Sequence, residues 1–208
     1  MSGMEFDEAV RSRRSVKSYD PDAAIDDATL KRLFELVSRS PSSFNLQHWR
    51  FVVIRDAGAR KELMAASWNQ PHVGAAPAVV VVAGKLRAHE DAARTNSHAP
   101  QAVLDRLVPI IESSYEGNEQ FQRDEAIRSG SLAAMTLMLT ARTLGLATCP
   151  MIGFVPAEVS RIAGLDEGHI PVMLITLGKQ GDGEVLPTSR YPLEEIVKLE
   201  TLGGPDLR

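Results

Sequence analysis

From Thr29 to Arg39 the apolar residues Leu30, Leu33, Phe34 and Val37 fall at the spacing of one helical face, with Asp26 or Asp27 placed to cap it. Three other stretches are apolar without alternation: Trp49–Arg55, Pro77–Ala83 with four successive valines from Val79 to Val82, and Pro171–Leu177. Each is short enough to be a strand. Strands that do not alternate are covered on both faces, so the pattern predicts a central sheet with helices above and below it. Ser131–Leu144 reads as a helix that is apolar nearly all round, with Gly145 as its stop. Such a helix belongs at the centre of an assembly. In a chain this small that centre can be a subunit interface.

Between Lys85 and Gly130 the chain turns polar and is interrupted by Asn96, Ser97, Pro100, Pro109 and Gly117. This predicts an inserted pair of helices at about 85–130, the kind of variable element in which specific function is placed. After a turn at Gly181-Asp182-Gly183 comes a tail, Glu184–Arg208, carrying Leu186, Tyr191, Leu193, Ile196 and Val197. A tail with that much apolar surface is expected to dock on its own domain or on a partner's.

The length of 208 residues fits a single domain, with residues 1–208 forming one unit around the insertion. The net charge is -4, which argues against electrostatic binding to nucleic acid or anionic membrane. A single cysteine, Cys149, excludes a disulfide framework and reads as a buried structural thiol. The start, Met1 to Glu5, has no basic segment followed by an apolar one, and the longest apolar runs, Ala75–Gly84 and Leu144–Val155, fall far short of the ~20 residues that span a bilayer. The expectation is a cytoplasmic enzyme or binding protein.

Several chemistries lack their residues. No Gly-x-Gly-x-x-Gly follows a strand, and neither a P-loop nor a Gly-x-Ser-x-Gly motif is present. His48, His72, His89, His98 and His169 show no metal-ligand spacing and read as surface or hydrogen-bonded residues, so no metal is expected. Trp68 and Phe121 read either as lid or pocket residues or as plain core.

What remains is a set of polar clusters. Arg11, Arg13, Arg14 and Lys17 lie among Ser12, Ser15 and Ser18. This is either a solvated basic turn balanced by Asp20 and Asp22 or a phosphate-monoester site, since forked guanidinium donors and short hydroxyl donors together suit a phosphate. The segment from Ser40 to Trp49 packs hydroxyls, carboxamides and an indole into ten residues, and carboxamides can match the donors and acceptors of a heterocycle's edge. Asn69-Gln70 and the tail segment Leu186–Pro192, with Arg190, complete the list.

Arg13-Arg14-Ser15-Val16-Lys17-Ser18-Tyr19, Ser40-Pro41-Ser42-Ser43-Phe44-Asn45-Leu46-Gln47-His48-Trp49, Gly145-Leu146-Ala147 with Gly153-Phe154, and Leu186–Pro192 occur in an order and spacing that resembles the nitroreductase family of FMN-dependent oxidoreductases over nearly the whole chain. The resemblance implies an α+β fold with a central mixed sheet covered by helices on both faces. It also implies an intertwined homodimer whose C-terminal tail docks on the partner. FMN would bind at the subunit interface, with NADH or NADPH as co-substrate. Arg13, Arg14 and Ser15 would hold the phosphate or ribityl chain, Lys17 the N1/O2 edge of the ring, and Arg190 the phosphate again. Pro41, Ser42, Ser43 and Asn45 would frame the ring from the other subunit. Gln70, or else Asn69, would bond its pyrimidine side, and the backbone of Ile152 and Gly153 would face N5.

The chain departs from the family at two places. His48 stands where relatives often carry proline, and Thr188 stands where some place a lysine. The implied activity is hydride transfer from NAD(P)H through flavin N5 to nitroaromatics, quinones or similar electron-poor acceptors, with ping-pong kinetics. In that scheme the flavin carries the chemistry and Lys17 gives electrostatic support. The alternatives are a specialised member of the same fold, such as an enone or aldehyde reductase or a flavin-modifying enzyme, and a non-catalytic nucleotide-binding module. A hydrolase built on Ser42 or Ser43 lacks a placed histidine and aspartate.

Overall fold

The computed structural model describes residues 4–207; Met1–Gly3, part of the start read as lacking a leader, and Arg208, the end of the tail, lie outside the described residues. The chain forms helices α1 (Phe6–Ser12) and α2 (Asp27–Val37), strand β1 (Trp49–Ile54), helices α3 (Ala57–Ala66) and α4 (Pro71–Ala75), and strand β2 (Ala78–Lys85). Helices α5 (Ala92–Thr95), α6 (Gln101–Tyr115) and α7 (Glu119–Thr143) follow. Then come β3 (Ala147–Met151), α8 (Pro156–Ala163), β4 (His169–Gly178) and α9 (Leu193–Ile196).

The helix expected from Thr29 is α2, and Asp26 caps it by accepting from the Thr29 amide at 2.6 Å. The three apolar runs are β1, β2 and β4. They pair in the order β1-β2-β4-β3. The fold is α+β, as the resemblance implied. All four named strands run antiparallel, so the parallel component of the expected mixed sheet is a single bridge, Ser15 to Thr148.

The valine run explains the layering. Val80 and Val82 pack with Leu33 and Val37 of α2 and with Ala133, Leu137 and Ala141 of α7. Val79 and Val81 point to the opposite face, against Leu63 of α3, Val73 of α4 and Val159 of α8. Alternate residues of one strand thus seed two cores, and both faces are covered.

Helix α7 is longer than the apolar pattern, because it begins at Glu119 and runs unbroken through Gly130. Gly130 is tolerated in a helix because the missing side chain lets the helix approach the sheet: a Cβ there would lie 3.1 Å from Val172. Pro109, read as an interruption, lies within α6. On its far side α7 leaves Leu132 and Met135 exposed. The tail keeps Leu186, Tyr191, Leu193, Ile196 and Leu202 exposed as well, so apart from Val185, which packs against the Val16 and Tyr19 core, and the half-buried Val197, most of its apolar residues stay unburied on its own chain.

Candidate flavin site

Two sets of polar groups occupy opposite edges of the sheet. The first is built on β3. The Arg13–Tyr19 segment lies along this strand, with the Val16 amide donating to Thr148 O at 3.0 Å. It is pinned by a small core of Val16, Tyr19, Ala76 and Ala147. The buried Tyr19 phenol bonds the Thr176 hydroxyl at 2.6 Å, and Val16 O at 2.9 Å. The anchored residues leave Ser15 and Lys17 exposed and Arg13 and Arg14 half-buried.

Ser12, Arg13, Arg14, Thr148, Gln180 and Arg142 line one pocket. Arg142 Nε donates to Ser12 Oγ at 3.0 Å. Among the described residues no ion pair involves Arg13, Arg14, Lys17 or Arg142. Four cations thus stand along one edge of an acidic protein without a carboxylate partner.

At the end of β3 two loops are stitched together. The Val155 amide donates to Ala66 O at 2.8 Å, and Gln70 Nε2 donates to Gly153 O at 3.4 Å. Trp68 and Asn69 both adopt left-handed backbone, φ 55 and 54, strain that a fold retains where geometry matters. The Trp68 indole is exposed and lies over Gly153, and Ile152 beside it is 76% exposed. His72 is buried in the same region with Nε2 unpartnered. Burial lowers its pKa, and the charge of Lys17 adds to this. Burial raises the pKa of Cys149, with Lys17 and Arg13 opposing, which keeps the buried thiol protonated.

The second set lies before β1. Pro41 and Asn45 are exposed, and Ser42 and Ser43 are half-buried. The Gln47 amide donates to Ser42 Oγ at 2.9 Å, and Asn45 Nδ2 donates to Thr95 O at 2.8 Å. Strand β1 and strand β3 are opposite edges of a four-stranded sheet, so at least three strand spacings, roughly 14 Å, separate these residues from the first set. Arg190 is exposed, its guanidinium bonds Thr188 and the Ser189 carbonyl within the tail, and among the described residues no hydrogen bond or ion pair links it to either set.

The structure therefore brings Arg13, Arg14, Ser15, Lys17, Gln70, Ile152 and Gly153 to one edge and leaves Pro41, Ser42, Ser43 and Asn45 at the other. Sequence reasoning did not find Arg142 or His72. The only signal for Arg142 was a cation in the last turn of a helix, where it is commonplace. His48 and His89 are buried and hydrogen-bonded, to Ser129 and Glu116, as one branch of the expectation had it, with the other ring nitrogen of each unpartnered; His72 departs from the expectation, being buried with Nε2 unpartnered. Phe121 packs against Tyr115 and is core, while Trp68 stands at the site.

The sequence profile of the Nitroreductase family matches residues 10–179. MhqN, a candidate NAD(P)H nitroreductase of Bacillus subtilis, is 38% identical over 202 residues, covering 93% of this chain and 98% of that protein. A crystal structure from Exiguobacterium sibiricum, solved in complex with FMN, is 31% identical with a TM-score of 0.87, covering 96% of this chain and 99% of that one. An enone reductase of CLA biosynthesis from Lactiplantibacillus plantarum is 30% identical over 194 residues, covering 86% and 87%. With a profile that spans most of the chain and relatives aligned end to end, this protein belongs to the nitroreductase family.

Proposed function

We propose that the chain is an FMN-dependent oxidoreductase that takes a hydride from NADH or NADPH and delivers it, by ping-pong kinetics, to nitroaromatics, quinones or similar electron-poor acceptors. The arrangement that carries this reading is the row of cations along β3, without carboxylate partners among the described residues, ending at the Gly153 backbone beneath the exposed Trp68 indole. A dianionic phosphate and a ring that gains negative charge on reduction are what such a row suits. The residues fit FMN in kind: guanidinium and hydroxyl donors at one end, a carboxamide in the middle, and a position without a side chain at the other end.

Bound FMN would supply hydride-transfer chemistry between the nicotinamide and the acceptor, which no side chain here supplies. Arg13, Arg14 and Ser15 would hold the phosphate and ribityl chain, and Arg190, which contacts neither set within one chain, would reach the phosphate only from the tail of a second copy. Lys17 balances charge at the pyrimidine end, Gln70 orients that end by its carboxamide, and the backbone of Ile152 and Gly153 faces the reacting edge. Pro41, Ser42, Ser43 and Asn45 lie too far from these groups within one chain, so they frame the ring bound by a second copy. The apolar residues exposed on α7 and along the tail support the same homodimer.

A single preparation tests the proposal. The purified protein is expected to be yellow, to sediment at twice the mass of one chain, to bleach with NADH or NADPH under argon and to recover its colour with a quinone. A colourless monomer that takes up no FMN would overturn it. The relationship to an enone reductase favours one second reading, in which the acceptor is an α,β-unsaturated carbonyl. Parallel assays with a quinone, a nitroaromatic and an enone separate the two.

A further inference from the structure

The loop from Ser42 to Gln47 is held in a costly shape. Phe44, Asn45 and Gln47 all have left-handed backbone, with φ of 48, 55 and 50. Such backbone is strained for residues with a side chain and persists only where its surroundings impose it. Those surroundings come from the stretch between Lys85 and Gly130. Leu46 is buried in a core of its own with Ala88, Ala92, Ile111 and Tyr115, apart from both cores of the sheet. Asn96 Nδ2 donates to Phe44 O at 3.1 Å, and the Lys85 amide donates to His48 O at 2.7 Å.

Behind the loop stands a column of three buried rings. The Tyr115 ring stacks on His48, centroids 5.9 Å apart and planes at 27°, and on His89, at 5.3 Å and 20°. His48 is fully buried, with Nδ1 against Ser129 Oγ at 3.2 Å. Burial raises the pKa of the Tyr115 phenol, whose oxygen has no hydrogen-bond partner among the described residues; the ring meets the loop through Leu46, which packs in the same cluster.

Resting on the flavin reading above, we propose that His48 and Tyr115 are positioning residues: their stack fixes the strained Ser42–Gln47 loop in the shape that frames the ring bound by a second copy of the chain. Helices α6 and α7 thereby set the geometry of a site on the other subunit. A proline at position 48, with no ring π-system and no side-chain acceptor, could make neither the stack nor the contact with Ser129.

The test compares holoenzymes carrying His48→Ala, His48→Phe and, as a control, Leu33→Ala, which truncates an equally buried residue in the core beneath α2. Two readouts are taken: amide hydrogen exchange across residues 42–48 and the FMN dissociation constant by flavin fluorescence. In His48→Ala the loop amides should exchange about tenfold faster while β2 amides keep their rate. The FMN dissociation constant should rise about tenfold, because the loop must then be ordered on binding. His48→Phe keeps a ring against Tyr115 and should return both readouts to within about threefold of the parent. Leu33→Ala should lower the melting temperature without moving either readout.

A loop that exchanges at the parental rate in His48→Ala would overturn the positioning role. A loosened loop with unchanged FMN affinity would overturn its link to the flavin. A parent protein that binds no FMN would instead overturn the functional reading, and the exchange data would still decide whether the column holds the loop.

Discussion

Trp68 occupies the space in front of Gly153: a Cβ on residue 153 would lie 2.7 Å from indole Cζ3 and 3.0 Å from Cε3. Because the indole is 71% exposed, it can swing aside, whereas the Gly153 backbone is tied to its neighbours through Gln70. Gly153→Ala is therefore expected to leave the fold intact and to disturb the site. Turnover should fall about tenfold, equivalent to ~1.4 kcal/mol of barrier, with little change in melting temperature. Steady-state kinetics beside thermal unfolding check this, and a large drop in melting temperature would assign Gly153 to stability instead.

Lys17 is exposed and has no carboxylate partner among the described residues. If it balances charge arriving with electrons, Lys17→Met should lower the two-electron potential of the bound flavin by about 30 mV, the counterpart of ~1.4 kcal/mol. Turnover should fall further than FMN affinity, since the interaction strengthens only on reduction. Equal losses in both would mark Lys17 as a simple binding residue.

The stability of the protein should fall in mild acid. Burial, followed by the charges of Arg50 and His89, lowers the pKa of His48 from the ordinary 6.5 to about 4. Between those values the unfolded chain holds a proton that the folded one does not, so stability is present in full above pH 6.5 and is lost as pH falls towards 4. The loss is on the order of 3 kcal/mol when complete. Burial of His72 acts in the same direction. Denaturant midpoints at a series of pH values, in the parent and in His48→Phe, check the assignment: the variant should show a flatter profile.

Gly84 of β2 sets how closely α7 approaches the sheet. A Cβ there would meet the Ala126 backbone oxygen at 3.0 Å and carbonyl carbon at 3.2 Å. Those are main-chain atoms, with no rotamer to yield. Gly84→Ala is expected to cost about 1–3 kcal/mol, seen as a lower denaturant midpoint.

Much of this architecture was legible in the sequence. The Leu30, Leu33, Val37 stripe and the Asp26 cap produce α2, and the valine run produces β2 with both faces covered. Strand β3 was not legible, because Ala147-Thr148-Cys149-Pro150-Met151 contains a proline and few strand-favouring side chains. Pairing with β4 makes it a strand, and at the edge of the sheet a missing donor is tolerable. The first half of α7 was hidden by its polar composition and by Gly130, whose usual penalty is offset by contact with Val172.

By itself, then, the chain determined its layers and the chemical type of its clusters, because burial period and donor chemistry are local properties that each residue carries with it. The separation of those clusters onto opposite sheet edges was settled only by the order β1-β2-β4-β3, since strand pairing joins residues far apart in sequence. The stacking of His48 on Tyr115 was likewise settled in three dimensions, by the return of α6 across the strained loop. An imidazole in a sequence says nothing of whether water or a ring will stand beside it; the packing of distant elements decides that.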